Sequence, residues 1–210
     1  MGVGRFITIE GIEGSGKSTQ LELLAVYLRT QGRAVVTTRE PGGTRLGERV
    51  RELLLHPQSD PVPLAELFLL EAARTQLVQQ VIAPALAVGG VVLADRFADS
   101  SLAYQGVARR LGWKTVSRLN EIACAGLAPD ATVVLDLPVE VALARARRRV
   151  STTEENSRFE DEALAFHRRV AEGYLQLAQR APERVLLVDA TGAPEAVHQR
   201  VLGRLAGFLP

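Results

Sequence analysis

A glycine-rich stretch, Gly11-Ile12-Glu13-Gly14-Ser15-Gly16-Lys17-Ser18, matches the pattern G-x-x-x-x-G-K-[ST]. Residues 6–9 before it are apolar and β-rich, and residues 19–25 after it carry apolar side chains at helical spacing. Strand, glycine loop and helix in this order predict a loop whose backbone N–H groups bind phosphate at a helix N-terminus. The alternative is a glycine-rich turn that only begins a helix, and the flanking segments favour the phosphate loop.

Individual residues of this loop have distinct predicted roles. Lys17 would reach the β- and γ-phosphates of a nucleotide, and the Ser18 hydroxyl would be a ligand of Mg²⁺. The candidate nucleotide-binding residues are Gly11, Ile12, Glu13, Gly14, Ser15, Gly16, Lys17, Ser18 and Thr19.

Predicted strands alternate with predicted helices along the chain. Strands are expected at residues 6–9, 35–37, 91–94, 132–136 and 185–189, and further helices at 46–55, 64–87, 111–125, 139–149, 162–180 and 194–209. Pro84 is expected to bend or shorten the helix that contains it. Such alternation predicts an α/β fold with a doubly wound, five-stranded parallel sheet flanked by helices, in a single domain over residues 1–210.

Composition excludes several classes of function. The 25 basic and 24 acidic residues leave a net charge of +1, which argues against a nucleic-acid-binding surface. Cys124 is the single cysteine, so a disulfide framework or a multi-cysteine metal site is excluded. His56, His167 and His198 are far apart in sequence and are interpreted as surface or helix-end residues. Polar residues, a proline and two glycines interrupt the apolar segment 78–94, so no membrane span is predicted. Since no signal peptide is apparent, the expected location is the cytoplasm.

Charged residues follow two predicted strands at their carboxyl ends, where open α/β sheets bind ligands. Arg39 and Glu40 follow the second strand, and Asp95 and Arg96 follow the third. An apolar strand that closes on Asp resembles a Walker B segment, so Asp95 joins Ser18 as a candidate ligand of Mg²⁺. Motors that hydrolyse ATP usually have Glu after this Asp, and Arg96 at that position argues against hydrolysis.

Arginine is concentrated in residues 145–149, which lead into the polar run 151–157 and then Arg158. One interpretation is a solvated basic helix end that faces the negative end of its own dipole. The interpretation favoured by the upstream phosphate loop is a lid over about residues 147–158. Its arginines, Arg149 and Arg158 among them, would close over the transferred phosphate.

Several further motifs join the phosphate loop in an order that resembles the bacterial thymidylate kinases. They are residues 9–20 around the loop, Arg39-Glu40-Pro41-Gly42-Gly43-Thr44, Ala72-Ala73-Arg74, Asp95-Arg96-Phe97, Ser100-Ser101-Leu102-Ala103-Tyr104-Gln105-Gly106, Arg158-Phe159-Glu160 and Asp189-Ala190-Thr191. Each motif beyond the loop is weak alone, but their shared order over nearly the whole chain is specific.

The resemblance implies transfer of the γ-phosphoryl group of ATP to dTMP, giving dTDP, with Mg²⁺ and in a homodimer. It implies that Arg39, Arg51 and Arg96 surround the acceptor phosphate. The implied residues around the thymidine are Leu70, Arg74, Ser100, Ser101, Tyr104 and Gln105. Of these, Arg74, Ser101 and Gln105 would form hydrogen bonds with the base. Tyr104 would lie near the deoxyribose. The implied catalytic residues are Lys17, Arg96, Arg39, Glu13 (near the acceptor sugar and the metal), Arg149 and Arg158.

Two positions depart from the family pattern. The family commonly has Phe four residues before the arginine that reads the base, where this chain has Leu70, so apolar contact is expected in place of stacking. Phe68 is nearby but falls on another face of the predicted helix. Ser157 stands where many members have Asp before the lid arginine, so the usual anchoring pair of the lid is not expected.

Other functions compete with this one. Another nucleoside monophosphate kinase or small-molecule kinase would share the fold and the phosphate loop. A GTP-dependent switch requires the motif Asn-Lys-x-Asp, and neither Lys17 nor Lys114, the only lysines, lies in one. A binding module that has lost catalysis is disfavoured because every expected phosphate-facing residue is present.

Overall fold

The computed structural model of the chain describes residues 4–150, 159 and 162–209. Its strands are β1 (Arg5–Glu10), β2 (Val35–Arg39), β3 (Val91–Asp95), β4 (Ala131–Asp136) and β5 (Val185–Asp189). Its helices are α1 (Lys17–Thr30), α2 (Arg45–Leu55), α3 (Pro63–Leu77), α4 (Ala83–Ala87), α5 (Ala98–Ser101), α6 (Trp113–Cys124), α7 (Val139–Val150), α8 (Leu164–Arg180) and α9 (Pro194–Leu205). The segments Val78–Ile82 and Leu102–Ala108 are π-helical and continue α3 and α5.

Across the described residues, the strands form one parallel sheet in the order β2-β3-β1-β4-β5. The chain places β2 and β3 on one side of β1 and then adds β4 and β5 on the other. This is the doubly wound, five-stranded sheet predicted from the sequence, which is confirmed. The predicted strands are all present. Strand β5 has the predicted bounds, and each of the other four extends beyond the prediction by one or two residues at one or both ends.

The register of the sheet brings the carboxyl ends of three strands together. Ile9 of β1 and Arg39 of β2 both lie opposite Asp95 of β3. Because the glycine loop follows β1, the sheet sets this loop beside the charged residues that follow β2 and β3. Strands β3 and β4 are almost entirely buried, as their continuous apolar runs require in a parallel sheet covered on both faces.

The long helix predicted over residues 64–87 is present, but its hydrogen bonding changes before Pro84. Helix α3 passes into the π-helical segment Val78–Ile82 and then into α4. Proline has no N–H to donate and disturbs the preceding helical turn, and here the irregular turn lies directly before it. Pro84 therefore does not shorten the helix, which continues to Ala87. No helix in the described ranges combines the length and the apolar composition that a membrane span needs.

Helix α8 packs closely on the π-helical segment Leu102–Ala108, which carries Tyr104 and Gln105. Gly173 makes this close approach possible. A Cβ at Gly173 would lie 2.8 Å from the Cα and 3.1 Å from the Cβ of Ala103. The contact fixes the position of α8 relative to the polar side chains of that segment.

Gly173→Ala is expected to destabilise the fold by about 1–3 kcal/mol, because the added methyl group must push two backbones apart. Gly203→Ala on α9 is the matched control, since nothing lies within 4 Å of a Cβ built there. Helix propensity predicts that the control gains about 0.5–1 kcal/mol. Urea unfolding followed by circular dichroism measures both free energies. A neutral Gly173→Ala substitution would contradict the close packing.

Candidate functional site

Backbone positions that favour glycine shape the loop at residues 11–16. Gly16 precedes α1 with a φ of 95°, in the left-handed region. Gly14 has a φ of 75°, and a Cβ there would lie only 1.9 Å from the carbonyl oxygen of Ala142 in α7. Lys17 Nζ donates to the carbonyl oxygen of Ile12 at 2.9 Å, so the lysine side chain folds back across the loop. The loop therefore has the predicted glycine geometry and packs directly on α7.

Ser18 and Asp95 meet beside this loop. Ser18 Oγ donates to Asp95 Oδ2 at 2.9 Å. In the part of the chain that the structure describes, no group of three or more His, Cys, Asp or Glu side chains is placed to hold a metal ion. Hydroxyl and carboxylate oxygens are ligands that Mg²⁺ takes when phosphates and water complete its coordination. The pair therefore fits a cation that arrives with a nucleotide.

Two cavities among the described residues adjoin the loop, and both are lined by Gly14, Lys17 and Ser18. The first, of about 360 Å³, is called the arginine cavity because Arg39, Arg51, Arg74 and Arg96 line it. The second, of about 400 Å³, is called the helix cavity and lies against α7 and α9; it is also lined by Ser15, Gly16, Thr19, Gln20, Arg145, Ala146, Ala190, Gly192, Pro194 and Val197. Cavities of this size accommodate small ligands.

The structure brings most of the predicted site residues into these two cavities. The arginine cavity contains Glu13, Arg39, Arg51, Leu70, Arg74, Asp95, Arg96, Ser100, Ser101, Tyr104 and Gln105 in its wall. Phe68 is half exposed and does not line it, as its position on the helix predicted. Gly11 and Ile12 line neither cavity. The side chain of Arg149, residue Arg158 and the predicted lid beyond residue 150 lie outside the described residues.

The guanidinium of Arg96 is surrounded by hydrogen-bond acceptors. Its Nη2 donates to Glu13 Oε1 at 2.9 Å and to the Tyr104 hydroxyl at 2.8 Å. Its Nη1 donates to Ser100 Oγ at 3.2 Å and to the Tyr174 hydroxyl at 3.1 Å. The backbone of Arg96 has a φ of 72°, a left-handed conformation that is unfavourable for residues other than glycine. Strained backbone of this kind concentrates at functional sites, which makes Arg96 a candidate functional residue.

Charges around the loop shift the pKa values of its two ionisable side chains. Burial would raise the pKa of Glu13, but Arg96, the contact with His167 and the charge of Lys17 outweigh it and lower that pKa to about 2. Burial and the nearby Arg96 lower the pKa of Lys17 to about 8. Both side chains are therefore charged at neutral pH, as binding of phosphate and pairing with arginine require.

Arg74 lies deeper in the wall of the arginine cavity and is almost fully buried. Its Nε donates to Glu40 at 2.9 Å, and its Nη1 donates to Glu71 and to Asn120 at 2.8 Å. Its Nη2 donates to Ser101 at 2.9 Å. Burial raises the pKa of Glu40 to about 7, against the lowering effect of Arg74. Each nitrogen of this guanidinium is thus already bonded to the protein.

His167 lies in the first turn of α8, so the helix-end interpretation holds, but the interpretation of it as a surface residue is wrong. Its side chain is fully buried in α8, and Nδ1 lies 3.4 Å from Glu13 Oε2. Tyr174, seven residues later on the same helix, donates to Glu10 Oε2 at 2.8 Å and accepts from Arg96. The sequence carried a signal for both residues, because Phe166, His167, Val170 and Tyr174 repeat on one face of a helix. His56 is exposed, and His198 is partly buried.

Comparisons with known proteins agree on one family. A sequence profile of the family described as Thymidylate kinase matches residues 9–201, a range that includes every residue lining the two cavities. The curated thymidylate kinase of Trichlorobacter lovleyi is 49% identical over 208 residues, with 96% of this chain and 98% of the relative covered. That of Pseudomonas putida is 51% identical over 207 residues, with 98% and 97% covered. The crystal structure of thymidylate kinase from Ehrlichia chaffeensis aligns with a TM-score of 0.79 at 33% identity, covering 98% of this chain and all of that one.

Acid titration tests the charge arrangement around Glu13. Its pKa is about 2 in the folded chain and about 4.5 without these neighbours, so ionisation stabilises the fold above about pH 4.5 and less as the pH falls toward 2. Glu13→Gln is expected to lower the free energy of unfolding by about 3 kcal/mol near neutral pH, and by progressively less below pH 4.5.

Urea unfolding of wild type and variant between about pH 2.5 and 7 measures this difference. Glu22→Gln, at an exposed position of α1, is the matched control and is expected to stay within about 0.5 kcal/mol of wild type throughout. A Glu13→Gln deficit that does not vary with pH would show that the carboxylate charge is not what stabilises the site.

Proposed function

The chain belongs to the thymidylate kinase family, and we propose that the arginine cavity is where it phosphorylates dTMP to dTDP. The observation that carries this proposal is the shared wall of the two cavities, in which Gly14, Lys17 and Ser18 face both. A donor nucleotide in the helix cavity and a monophosphate in the arginine cavity would meet at the same lysine. In-line phosphoryl transfer requires this arrangement.

In the proposed reaction these residues act chiefly through their charges. The acceptor dTMP already presents a phosphate anion, so no strong general base is needed, and two highly negative groups must be brought together. In this proposal Arg39, Arg51 and Arg96 bind the acceptor phosphate, and Lys17 stabilises the charge that spreads over the transferred group. Lys17 would exchange the carbonyl of Ile12 for phosphate oxygens. Arg149 and Arg158 remain proposed lid cations.

ATP is the proposed donor, with its phosphates on residues 11–19 and its nucleoside in the helix cavity near Arg145 and Gly192. Ser18 and Asp95 are the proposed Mg²⁺ ligands, since their hydrogen bond already places a hydroxyl and a carboxylate oxygen together. When bound there, Mg²⁺ would supply positive charge against the phosphates of the donor.

The thymidine would occupy the rest of the arginine cavity. Leu70 lines that cavity and would give apolar contact with the base in place of stacking on an aromatic ring. Ser101 and Gln105 would read the base edge, with Arg74 behind them. Ser100 lines the same cavity, and Tyr104 donates to Glu13 Oε1 at 2.7 Å, so Tyr104 and Glu13 together would face the deoxyribose. Residues 1–210 would act as one kinase domain in the cytoplasm, where ATP and deoxynucleotides are available.

A homodimer is the proposed assembly. Large apolar side chains are exposed on three helices, with Leu53 on α2, Leu64 and Phe68 on α3, and Ile122 on α6. Helix α3 packs against both α2 and α6, so these side chains belong to neighbouring elements. Exposed apolar surface of this kind commonly marks an interface with another protein.

The dimer proposal predicts that Phe68→Arg shifts the protein from two copies to one of the 22.7 kDa chain. Burying an unpaired charge in an interface is strongly unfavourable. Light scattering coupled to size-exclusion chromatography measures the mass. Val88→Arg, at a site 76% exposed after α4, is the matched control and should leave the mass unchanged. A wild type that elutes as one copy would contradict the proposal.

The acceptor assignment predicts that dTMP has the highest kcat/KM among dTMP, dUMP, AMP, CMP and GMP in a coupled assay of ADP release. Lys17→Ala and Arg96→Ala should each lower kcat by about 10³-fold or more, because each removes a cation from the transfer site. Lys114→Ala removes the one other lysine, exposed on α6, and should leave activity unchanged. A better acceptor than dTMP, or a folded Lys17→Ala protein within tenfold of wild type, would contradict the assignment.

A further inference from the structure

We infer that Glu66 is a specificity-determining positioning residue, which orients the amide of Gln105 so that the acceptor site selects a pyrimidine with an N3–H group. The inference rests on the proposed function, since it concerns the base of the same acceptor. Glu66 itself need not touch the substrate, and its effect would pass through Gln105.

The two side chains form a buried pair at the wall of the arginine cavity. Glu66 of α3 is fully buried, and Gln105 of the π-helical segment Leu102–Ala108 is 2% exposed. Gln105 Nε2 donates to Glu66 Oε1 at 2.7 Å. The guanidinium of Arg109 lies against the same carboxyl group, with its Nε 3.4 Å from Oε1 and its Nη2 3.4 Å from Oε2. An ionised carboxylate beside an arginine accepts hydrogen bonds and donates none.

This acceptor-only partner decides which way the amide of Gln105 faces. An amide has a donor end and an acceptor end, and turning it round would press the Gln105 carbonyl oxygen against a carboxylate oxygen in a buried setting. The nitrogen therefore stays on Glu66. Gln105 Oε1 has no hydrogen-bond partner within the described ranges, and Gln105 lines the arginine cavity. A buried acceptor without a partner at a ligand cavity is where a ligand donor is needed.

The chemistry of the bases turns this orientation into selectivity. Thymine and uracil carry a hydrogen on N3 and can donate to Gln105 Oε1. Cytosine has an unprotonated N3, whose lone pair would face the same oxygen. Arg74, which the family resemblance also implies as a reader of the base, only donates hydrogen bonds and cannot accept from N3–H. Gln105 Oε1 is therefore the acceptor that can separate an imide base from cytosine at N3, and Glu66 fixes the orientation of that oxygen.

Glu66→Gln tests the inference, because an amide at this position can either accept from Gln105 or donate to it. The kcat/KM for dTMP and for dUMP should fall together by about tenfold, mainly through KM, while the ratio of dCMP to dTMP utilisation rises by about tenfold or more. The ratio of dUMP to dTMP is an internal control and should not change, since both bases carry N3–H.

Arg109→Lys is the matched control variant. It keeps a cation beside Glu66 and leaves the Gln105 hydrogen bond, so the ratio of dCMP to dTMP should match wild type. An equal loss on all three acceptors in Glu66→Gln, or the same change of selectivity in Arg109→Lys, would overturn the inference. Failure of the proposed function itself would appear separately, as a wild-type enzyme that does not prefer dTMP.

Nuclear magnetic resonance of the wild type keeps the inference testable if Glu66→Gln does not fold. The side-chain NH₂ protons of Gln105 should exchange slowly with solvent in the free protein, because they are bonded to Glu66. Adding dTMP without ATP should move the ¹⁵N resonance of this amide only slightly. Protection of the NH₂ protons that arises only when dTMP binds would show that the nitrogen turns to the substrate, which would overturn the inference.

Discussion

Positive charge gathered at one edge of the sheet is the constraint on which the rest of this structure depends. Three arginines of the arginine cavity form ion pairs, and none of them shares a carboxylate with another. Arg96 pairs with Glu13, Arg39 with Glu48, and Arg74 with Glu40 and Glu71. Buried charges are tolerated only when paired and hydrogen-bonded. The side chains of Arg39, Arg96 and Arg74 are 53%, 16% and 1% exposed, respectively. In the proposed mechanism, Arg39 and Arg96 would exchange a carboxylate for phosphate, and the buried Arg74 would stay part of the cavity wall.

The phosphate loop is tied to the two helices on either side of residues 151–163. Helix α7 touches the loop at Gly14, where a side chain would collide with the backbone of Ala142. Helix α8 brings His167 to Glu13 and Tyr174 to Arg96. A movement of either helix would therefore change its contacts with the loop or with Arg96. The close contact of Gly173 with Ala103 holds α8 against the segment that also carries Tyr104 and Gln105, so the residues proposed to bind the phosphate and the base are supported by the same contact.

Much of the fold and of the candidate site could be predicted because its signals are local or depend only on sheet direction. The glycines of residues 11–16 act through their own backbone angles, and the buried strands can be recognised from runs of consecutive apolar residues. Residues that end parallel strands meet at one edge, which placed Asp95 and Arg96 beside the loop before any contact was known. Arg51, Arg74 and Gln105 were reached by family resemblance, since nothing in their spacing alone indicates a shared cavity.

The sequence by itself determined the parallel α/β fold, the phosphate loop and the charges at the strand ends, because each follows from short-range geometry or from the direction of the strands. Only the tertiary structure decided which partners those charges take. His167 lies 154 positions from Glu13, and Glu66 lies 39 positions from Gln105, so no periodicity joins them. Burial in a medium that poorly solvates charge is the physical reason for these distant contacts, since a buried charged group is stable only beside groups that stabilise its charge, wherever the fold brings them.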